Sequence, residues 1–380
     1  MTTKQVKLGD LVSAARVERA GNLDLPILSM TRSGGLVPQD SVFKKQIASR
    51  DLSKYRVVRP NQLVVGIHID EGALGVSGDD QAGVVSPAYT LWDLLDTNSL
   101  HPDYLHRYIR SPKAISYFIA NYRQTAERRG KIPRDKFLDL DVPLPPLPEQ
   151  RRIAAILDQA DALRAKRREA LAQLDSLTQS IFIEMFGDPV TNPKRWEVKT
   201  LGEVTNFSQG VQIGLEYHKE YPADGFSRFL RISDYTKADS EPRFVPTPHT
   251  KYYATSDDVI MIRYGEAGRV VRGFDGYIAN NLFKISPSGN NLDNTFLFTL
   301  LGLPKVNDLL RSGSATTSMP QVNHKVVGQL SIPIPPIDLQ KSFTAIIESV
   351  EKQKVKLSTQ LDELGTFFAS LQHRAFRGEL

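Results

Sequence analysis

Two stretches decide how this chain is read: "DVPLPPLPEQRRIAAILDQADALRAKRREALAQL" from Asp141 to Leu174, and "SIPIPPIDLQKSFTAIIESVEKQKVKLSTQL" from Ser331 to Leu361. Each passes from alternating apolar residues through a proline cluster into a long helical pattern. A constant shift of 190 residues aligns them without a gap from Val142 to Gly187, with eleven identities in 46 positions. Pro143, Pro145, Pro146, Gln150, Ala155, Ile156, Lys166, Leu171, Leu174, Ser180 and Phe186 recur as Pro333, Pro335, Pro336, Gln340, Ala345, Ile346, Lys356, Leu361, Leu364, Ser370 and Phe376. The period is half of the 380-residue chain, which reads as an internal duplication.

The copies share a physical grammar. Leu138, Leu140, Val142 and Leu144 alternate as a short strand does, and the prolines that follow cannot donate to a ladder and end it. Glu149 falls in the first turn of a helix, where the helix dipole favours an anion. The helix then carries a stripe of Ile153, Ile156, Ala160, Leu163, Arg167, Ala170, Leu174, Leu177 and Ile181. Its counterpart is Phe343, Ile346, Val350, Gln353, Leu357, Gln360, Leu364, Phe367 and Leu371. Heptad spacing over so many turns predicts a coiled-coil seam. Helices of about 35 residues are roughly 50 Å long. The economical mate for each stripe is the other copy, packed antiparallel as a stalk; the alternative is a helix of another protein.

Upstream of each helix lies a segment rich in β and turn signals. "YRVVRPNQLVVGIHIDEGALGV" in the first and "YYATSDDVIMIRYGEAGRVVRGFDGYIANNLFKI" in the second have the same rhythm. Both units open alike, with "VKLGDLV" from Val6 and "VKTLGEV" from Val198. Each later has a helical stretch ("PDYLHRYIRSPKAISYFIA", "NTFLFTLLGLPKVNDLL") and then a polar loop. The expected fold class is α+β: two tandem β-rich heads separated by two long antiparallel helices. The expected boundaries are 1–142, 143–187, 188–332 and 333–380.

Bulk properties narrow the function classes. Net charge is +5, a mild pointer to a polyanion, and the clearest excess is nine basic against three acidic residues in 97–138. The absence of cysteine removes disulfides and thiolate metal sites and fits a reducing cytoplasm. No signal-peptide core and no run of 18 apolar residues appears, so neither export nor a membrane is expected. Catalytic signatures are missing too. There is no phosphate-binding loop, no G-x-G-x-x-G after a strand, and no histidine pair at metal-ligand spacing. Asp188, Glu197 and Lys199 loosely mimic an acidic nuclease triad, but an interdomain linker accounts for them better. Diverged heads without a shared acid, base or nucleophile suit recognition, so no enzyme activity is expected.

Two variable β-rich segments, each followed by "PLPPLPEQ" or its weaker copy "IPIPPIDLQ" and a long helix, resemble the specificity subunit of type I restriction-modification enzymes (HsdS). "EMFGDP" and "NPKRWEVKTLGEV" match that family's passage into its second target-recognition domain. In the second copy Pro148 and Glu149 are replaced by Asp338 and Leu339. The resemblance implies a cytoplasmic, non-catalytic chain whose heads each read one half of a split double-stranded DNA site while the stalk sets the gap. It also implies two adenine methyltransferase subunits and an ATP-dependent restriction subunit as partners. S-adenosylmethionine, ATP and magnesium then belong to those partners, and this chain holds no cofactor or metal.

DNA-binding candidates follow from chemistry. Arginine bonds a guanine edge bidentately, glutamine an adenine edge, and Lys or Arg any phosphate. In the first head Arg123, Gln124, Arg128, Arg129, Lys131 and Arg134 crowd one polar loop. In the second, Arg263, Arg269 and Arg272 flank the turn "RYGEAGR", and Thr316, Thr317, Gln321, Asn323 and Lys325 offer small donors and acceptors. Each has a plain alternative, as a solvated loop residue, a partner of a local carboxylate, or a turn cap.

Overall fold

The computed structural model describes residues 3–32, 34–42, 48–49, 51–78, 80, 82–121, 132–312 and 321–380, and its chain divides into two units. The first is Met1–Arg168 with Thr359–Leu380; the second is Glu169–Ser358.

In the first unit the strands are β1 (Lys4–Lys7), β2 (Val12–Ala14), β3 (Leu28–Thr31), β4 (Gly35–Pro38), β5 (Arg56–Val58), β6 (Gln62–Val65), β7 (Leu74–Val76), β8 (Gly83–Val85) and β9 (Thr90–Leu94). Helices α1 (Pro102–Ile109), α2 (Pro112–Asn121) and α3 (Arg134–Leu138) follow, then β10 (Asp141–Leu144) and the long α4 (Leu147–Phe186). An antiparallel sheet runs in the order β2-β9-β6-β7, with β3-β4 and β5-β8 as separate pairs. The first strand closes the unit: β1 pairs antiparallel with β10, placing Val6 opposite Val142 and Gln5 opposite Pro143. Pro143 therefore lies inside the strand. It is tolerated because β10 pairs only with β1, so half of its backbone groups face no ladder. Leu138, expected in this strand, instead ends α3.

The second unit repeats the plan with β11 (Glu197–Thr200), α5 (Leu201–Val204), β12 (Thr205–Gln209), β13 (Phe226–Leu230), α6 (Ile232–Thr236), β14 (Arg243–Pro246), β15 (Tyr253–Ala254), β16 (Val259–Ile262), β17 (Val270–Val271), β18 (Gly276–Ile278) and β19 (Leu282–Pro287). Helices α7 (Asn294–Gly302), α8 (Pro304–Ser312) and α9 (His324–Gly328), β20 (Ser331–Ile334) and the long α10 (Ile337–Ala375) complete it. The sheet β12-β19-β16-β17 matches that of the first unit, and β11 pairs with β20 as β1 does with β10. Beside it stands a sheet β14-β13-β18-β15, in which β13 and β18 run parallel.

The long helices supply part of each core. In the first unit Ile153, Leu157 and Ala160 of α4 and Phe368, Leu371 and Ala375 of α10 join Tyr104, Tyr108 and Phe118. In the second, Phe182 and Phe186 of α4 and Phe343 and Ile347 of α10 join Phe296 and Leu300. This burial corrects the expected stripe. Leu163, Leu177, Ile346 and Phe367 are 54, 42, 43 and 55% exposed. The inward positions run 153, 157, 160, 164 and 343, 347, 350, 354, with the second member of each pair four residues on instead of three. Arg164 and Lys354, which are 190 residues apart, occupy that phase. Read as surface residues, they disguise it, yet their side chains are only 22 and 18% exposed, as long aliphatic stems allow. The Arg164 guanidinium lies 4.6 Å from the centre of the Phe368 ring and pairs with Asp161 at 2.9 Å. Lys354 pairs with Asp175 and Glu351, each at 2.9 Å. Arg167 is exposed, an edge residue as its charge suggests.

No helix among the described residues is long and apolar enough to cross a membrane.

Candidate nucleic-acid interface

The basic excess of 97–138 is partly spent inside the first unit. Arg107 on α1 donates to Asp158 at 2.7 Å and to Asp161 at 3.1 Å on α4. Arg110 donates to the carbonyls of Gly72, Leu74 and Arg32 at 3.1, 2.8 and 2.6 Å, and burial lowers its pKa to about 10. Burial likewise pushes His106 down to about 3, so the neutral ring accepts the Val76 N–H at Nδ1. These groups hold the fold together and are not available to a ligand.

Of the first-head candidates, Arg123, Gln124, Arg128, Arg129 and Lys131 lie outside the described residues. Arg134 opens α3 and is exposed, with its guanidinium 5.3 Å from the centre of the Trp92 ring. Trp92 is itself fixed against Phe137 at 5.5 Å between centroids. An arginine lying over an aromatic face keeps its outward N–H donors directed and free of rotamer search.

In the second unit β16 runs into the turn from Arg263 to Arg269. Gly265 and Gly268 adopt φ of 76° and 86°, a left-handed backbone that other residues enter at a cost. Helix α8 braces this turn, because Asn307 Nδ2 donates to the Gly268 carbonyl at 2.8 Å. The Val322 N–H donates to the Arg263 carbonyl at 3.1 Å, which brings the segment holding Gln321 and Asn323 against the turn. No local pattern announces this pairing, since the two segments are almost 60 residues apart.

The candidates there differ in what they are already doing. Arg263 donates to the Asn280 carbonyl at 3.0 Å and packs 5.1 Å from the Tyr264 ring centre. Arg269 is exposed and ion-paired with Glu266. Arg272 donates to Thr295 at 3.1 Å and lies 4.5 Å from the Phe298 ring centre. Asn323 caps α9, its Oδ1 accepting from the N–H groups of Lys325 and Val326 at 3.0 and 3.1 Å. Gln321 and Lys325 are exposed beside it, while Thr316 and Thr317 lie outside the described residues.

Arg269 and Arg272 also line a groove with Arg228, Lys237, Tyr235 and Phe274, whose lining includes the acidic Asp234 and Glu351 as well. Arg228 lies 4.9 Å from the Phe274 ring centre and Phe274 packs 5.4 Å from Tyr235. Cations beside a partly exposed ring such as Phe274 suit a phosphate backbone with accessible bases. Sequence reading missed Arg228, Lys237 and Phe274 because they stand as isolated letters. They meet only through the parallel pairing of β13 with β18, which no local pattern announces.

No group of three metal-ligating side chains occurs among the described residues.

Comparison with known proteins places this arrangement. The family model for the type I restriction modification DNA specificity domain matches residues 193–364. The type I restriction enzyme MjaVIII specificity subunit of Methanocaldococcus jannaschii is 23% identical over 196 residues, covering 51% of this chain and 44% of that protein. The putative MjaX specificity subunit of the same organism is 22% identical over 328 residues, covering 81% of this chain and 76% of that one. The chain thus spans less than half of the first of these relatives and about three quarters of the second. The solved S subunit of a type I restriction-modification system from M. genitalium matches 99% of this chain and 96% of its own, with a TM-score of 0.58 at 15% identity, a likeness of fold. Residues 193–364 thus match a type I restriction modification DNA specificity domain, and the chain as a whole is similar to the specificity subunits of type I restriction-modification systems.

Proposed function

We propose that this chain is the DNA-reading subunit of its complex. Each head reads one half of a bipartite site, and the paired long helices form a stalk that fixes the gap. The chain itself carries no chemistry. Two adenine methyltransferase subunits and an ATP-dependent restriction subunit assemble on it and bring S-adenosylmethionine, ATP and magnesium. The observation that carries this reading is the repetition of one neck and one core around heads with different loops. A duplicated frame with unlike faces suits two unlike half-sites better than one substrate. Arg134 in the first head, and Arg228, Lys237, Arg269 and Arg272 with Gln321 and Lys325 in the second, are the assigned contacts among the described residues. Arg123, Gln124, Arg128, Arg129, Lys131, Thr316 and Thr317 complete the set from sequence, and Arg263 and Asn323 act by holding the turn.

Mapping methylated adenines in cells that carry the complex tests this directly. The expected result is a split motif with two unrelated halves and a fixed gap; an undivided motif, or none, would refute it. Purified chain mixed with S-adenosylmethionine and DNA should leave the DNA unmethylated. Its DNA binding should weaken steeply with salt, by about 0.9 in logarithmic slope per phosphate neutralised. A salt-independent or absent shift would point instead to a scaffold that joins proteins through its helices. For the stalk, deleting one heptad within 153–181 together with its mate within 343–371 removes about 10 Å of rise, close to three base pairs. The gap should shorten accordingly, and an unchanged gap in a complex that still binds would exclude the stalk as the ruler.

A further inference from the structure

Gln150 and Gln340, equivalent residues of the duplication, are both wholly buried. Gln150 Oε1 accepts the His101 N–H at 2.8 Å, and its Nε2 donates to the carbonyls of Ser99 and Pro145, both at 2.8 Å. Gln340 repeats this triad on the Asp293 N–H at 2.9 Å and the carbonyls of Asn291 and Pro335 at 3.0 and 2.8 Å. One carboxamide in each unit thus joins three segments: the entry to α1 or α7 in the head, the proline cluster, and the first turn of the long helix. The chemistry is selective. Only a carboxamide presents an acceptor and two donors on one planar group; ionised glutamate cannot donate, and methionine cannot donate and accepts only weakly. Neighbouring side chains differ between the units. Thr344 bonds Asp293 at 2.6 Å in the second, while Arg107 reaches Asp158 and Asp161 in the first. The glutamine triad recurs atom for atom, so it marks what the duplicated frame requires at this joint.

We propose that Gln150 and Gln340 are positioning residues that set the angle at which each head stands on its helix, and through that angle the strictness with which the complex selects its spacer. The inference rests on the bipartite reading above. A head of about 140 residues has a radius of gyration of about 14 Å. A tilt of roughly 15° at its joint therefore shifts a point one radius of gyration away by about 3.7 Å, close to one base-pair step. A loosened joint lets a head reach a half-site displaced by one step without altering the bases it prefers.

The test is selection from a random duplex DNA library with the full chain in its assembled complex, comparing wild type with Gln150→Met and Gln340→Met. Hydrogen exchange at the His101 and Asp293 amides reports in parallel whether the joint has opened. The expected result is the same two half-sites, a spread from one spacer length to two or more adjacent lengths, and exchange faster by about tenfold at the affected amide. Where methionine prevents folding, Gln150→Asn and Gln340→Asn carry the same groups on a shorter arm and are read the same way. A split wild-type motif whose single spacer persists in folded variants with faster amide exchange would overturn the inference alone. An undivided wild-type motif would overturn the bipartite reading and the inference with it.

Discussion

Phe186 and Phe376 are the same residue of the duplication, yet they sit in differently made surroundings. Phe186 belongs to a cluster of phenylalanines, with ring centres 4.9 Å from Phe182, 4.9 Å from Phe296 and 5.3 Å from Phe343. Phe376 packs edge-on against Tyr104 and Tyr108, at 5.7 and 5.1 Å. The packing shape is kept and the polarity is not. In the first unit the hydroxyls of Tyr104 and Tyr108 donate to the Pro143 and Asp141 carbonyls and tie the core to β10. Phe296 stands where Tyr104 does and has no hydroxyl to give. A duplicated core is conserved first in volume, because close packing tolerates a gained or lost polar atom more readily than a lost ring.

Removing the rings gives the largest expected effect. Phe186→Ala and Phe376→Ala should each cost about 3–5 kcal/mol in denaturant unfolding, as large-to-small core changes do. A cost below about 1 kcal/mol at either site would mean that its unit does not depend on the shared packing. A smaller effect should separate the units. Tyr104→Phe leaves the ring and strips the bond to Pro143, and should cost about 1–2 kcal/mol. Hydrogen exchange should report that loss at β10 of the first unit and leave β20 unchanged; equal loosening of both strands would break the contrast.

The smallest effect concerns the starts of the long helices. Glu149 is held below the ordinary carboxylate value of 4.5, chiefly because Arg152 donates two hydrogen bonds to it. Its folded value is depressed, so the contribution is present above pH 4.5 and is lost as pH falls through the lowered value. As a surface pair it is worth at most about 0.5 kcal/mol. Leu339 occupies the equivalent place and packs against the second core. Thermal melts between pH 3 and pH 5 should show a small acid-dependent loss in the wild type that Glu149→Leu abolishes. An unchanged slope in the variant would assign the pH dependence elsewhere.

Much of the frame was legible in the letters. The repeat, both long helices and the paired helical stretches of each unit follow from periodicity and proline placement. The phase of the seam was not legible, since apolar residues stand at both 156 and 157, and at both 346 and 347. The deciding occupants, Arg164 and Lys354, look like surface residues in the letters yet are mostly shielded from solvent in the fold. Site residues divide the same way. A cluster such as Arg263, Arg269 and Arg272 is visible in one dimension. The capping role of Asn323 and the convergence of Arg228 with Phe274 exist only after the chain has folded back on itself.

In each unit the chain enters beside the place where it leaves, β1 against β10 and β11 against β20. Gly9 and Gly202 keep that closure tight: an added Cβ would meet Leu138 Cβ and the Gly328 carbonyl oxygen, each at 3.2 Å. A segment whose two ends are sewn together transmits no change of contour length to what lies outside. Loops between Thr200 and Ser331 that touch neither the shared core nor Gln340 can therefore change in length while the helices beyond the closure keep their register.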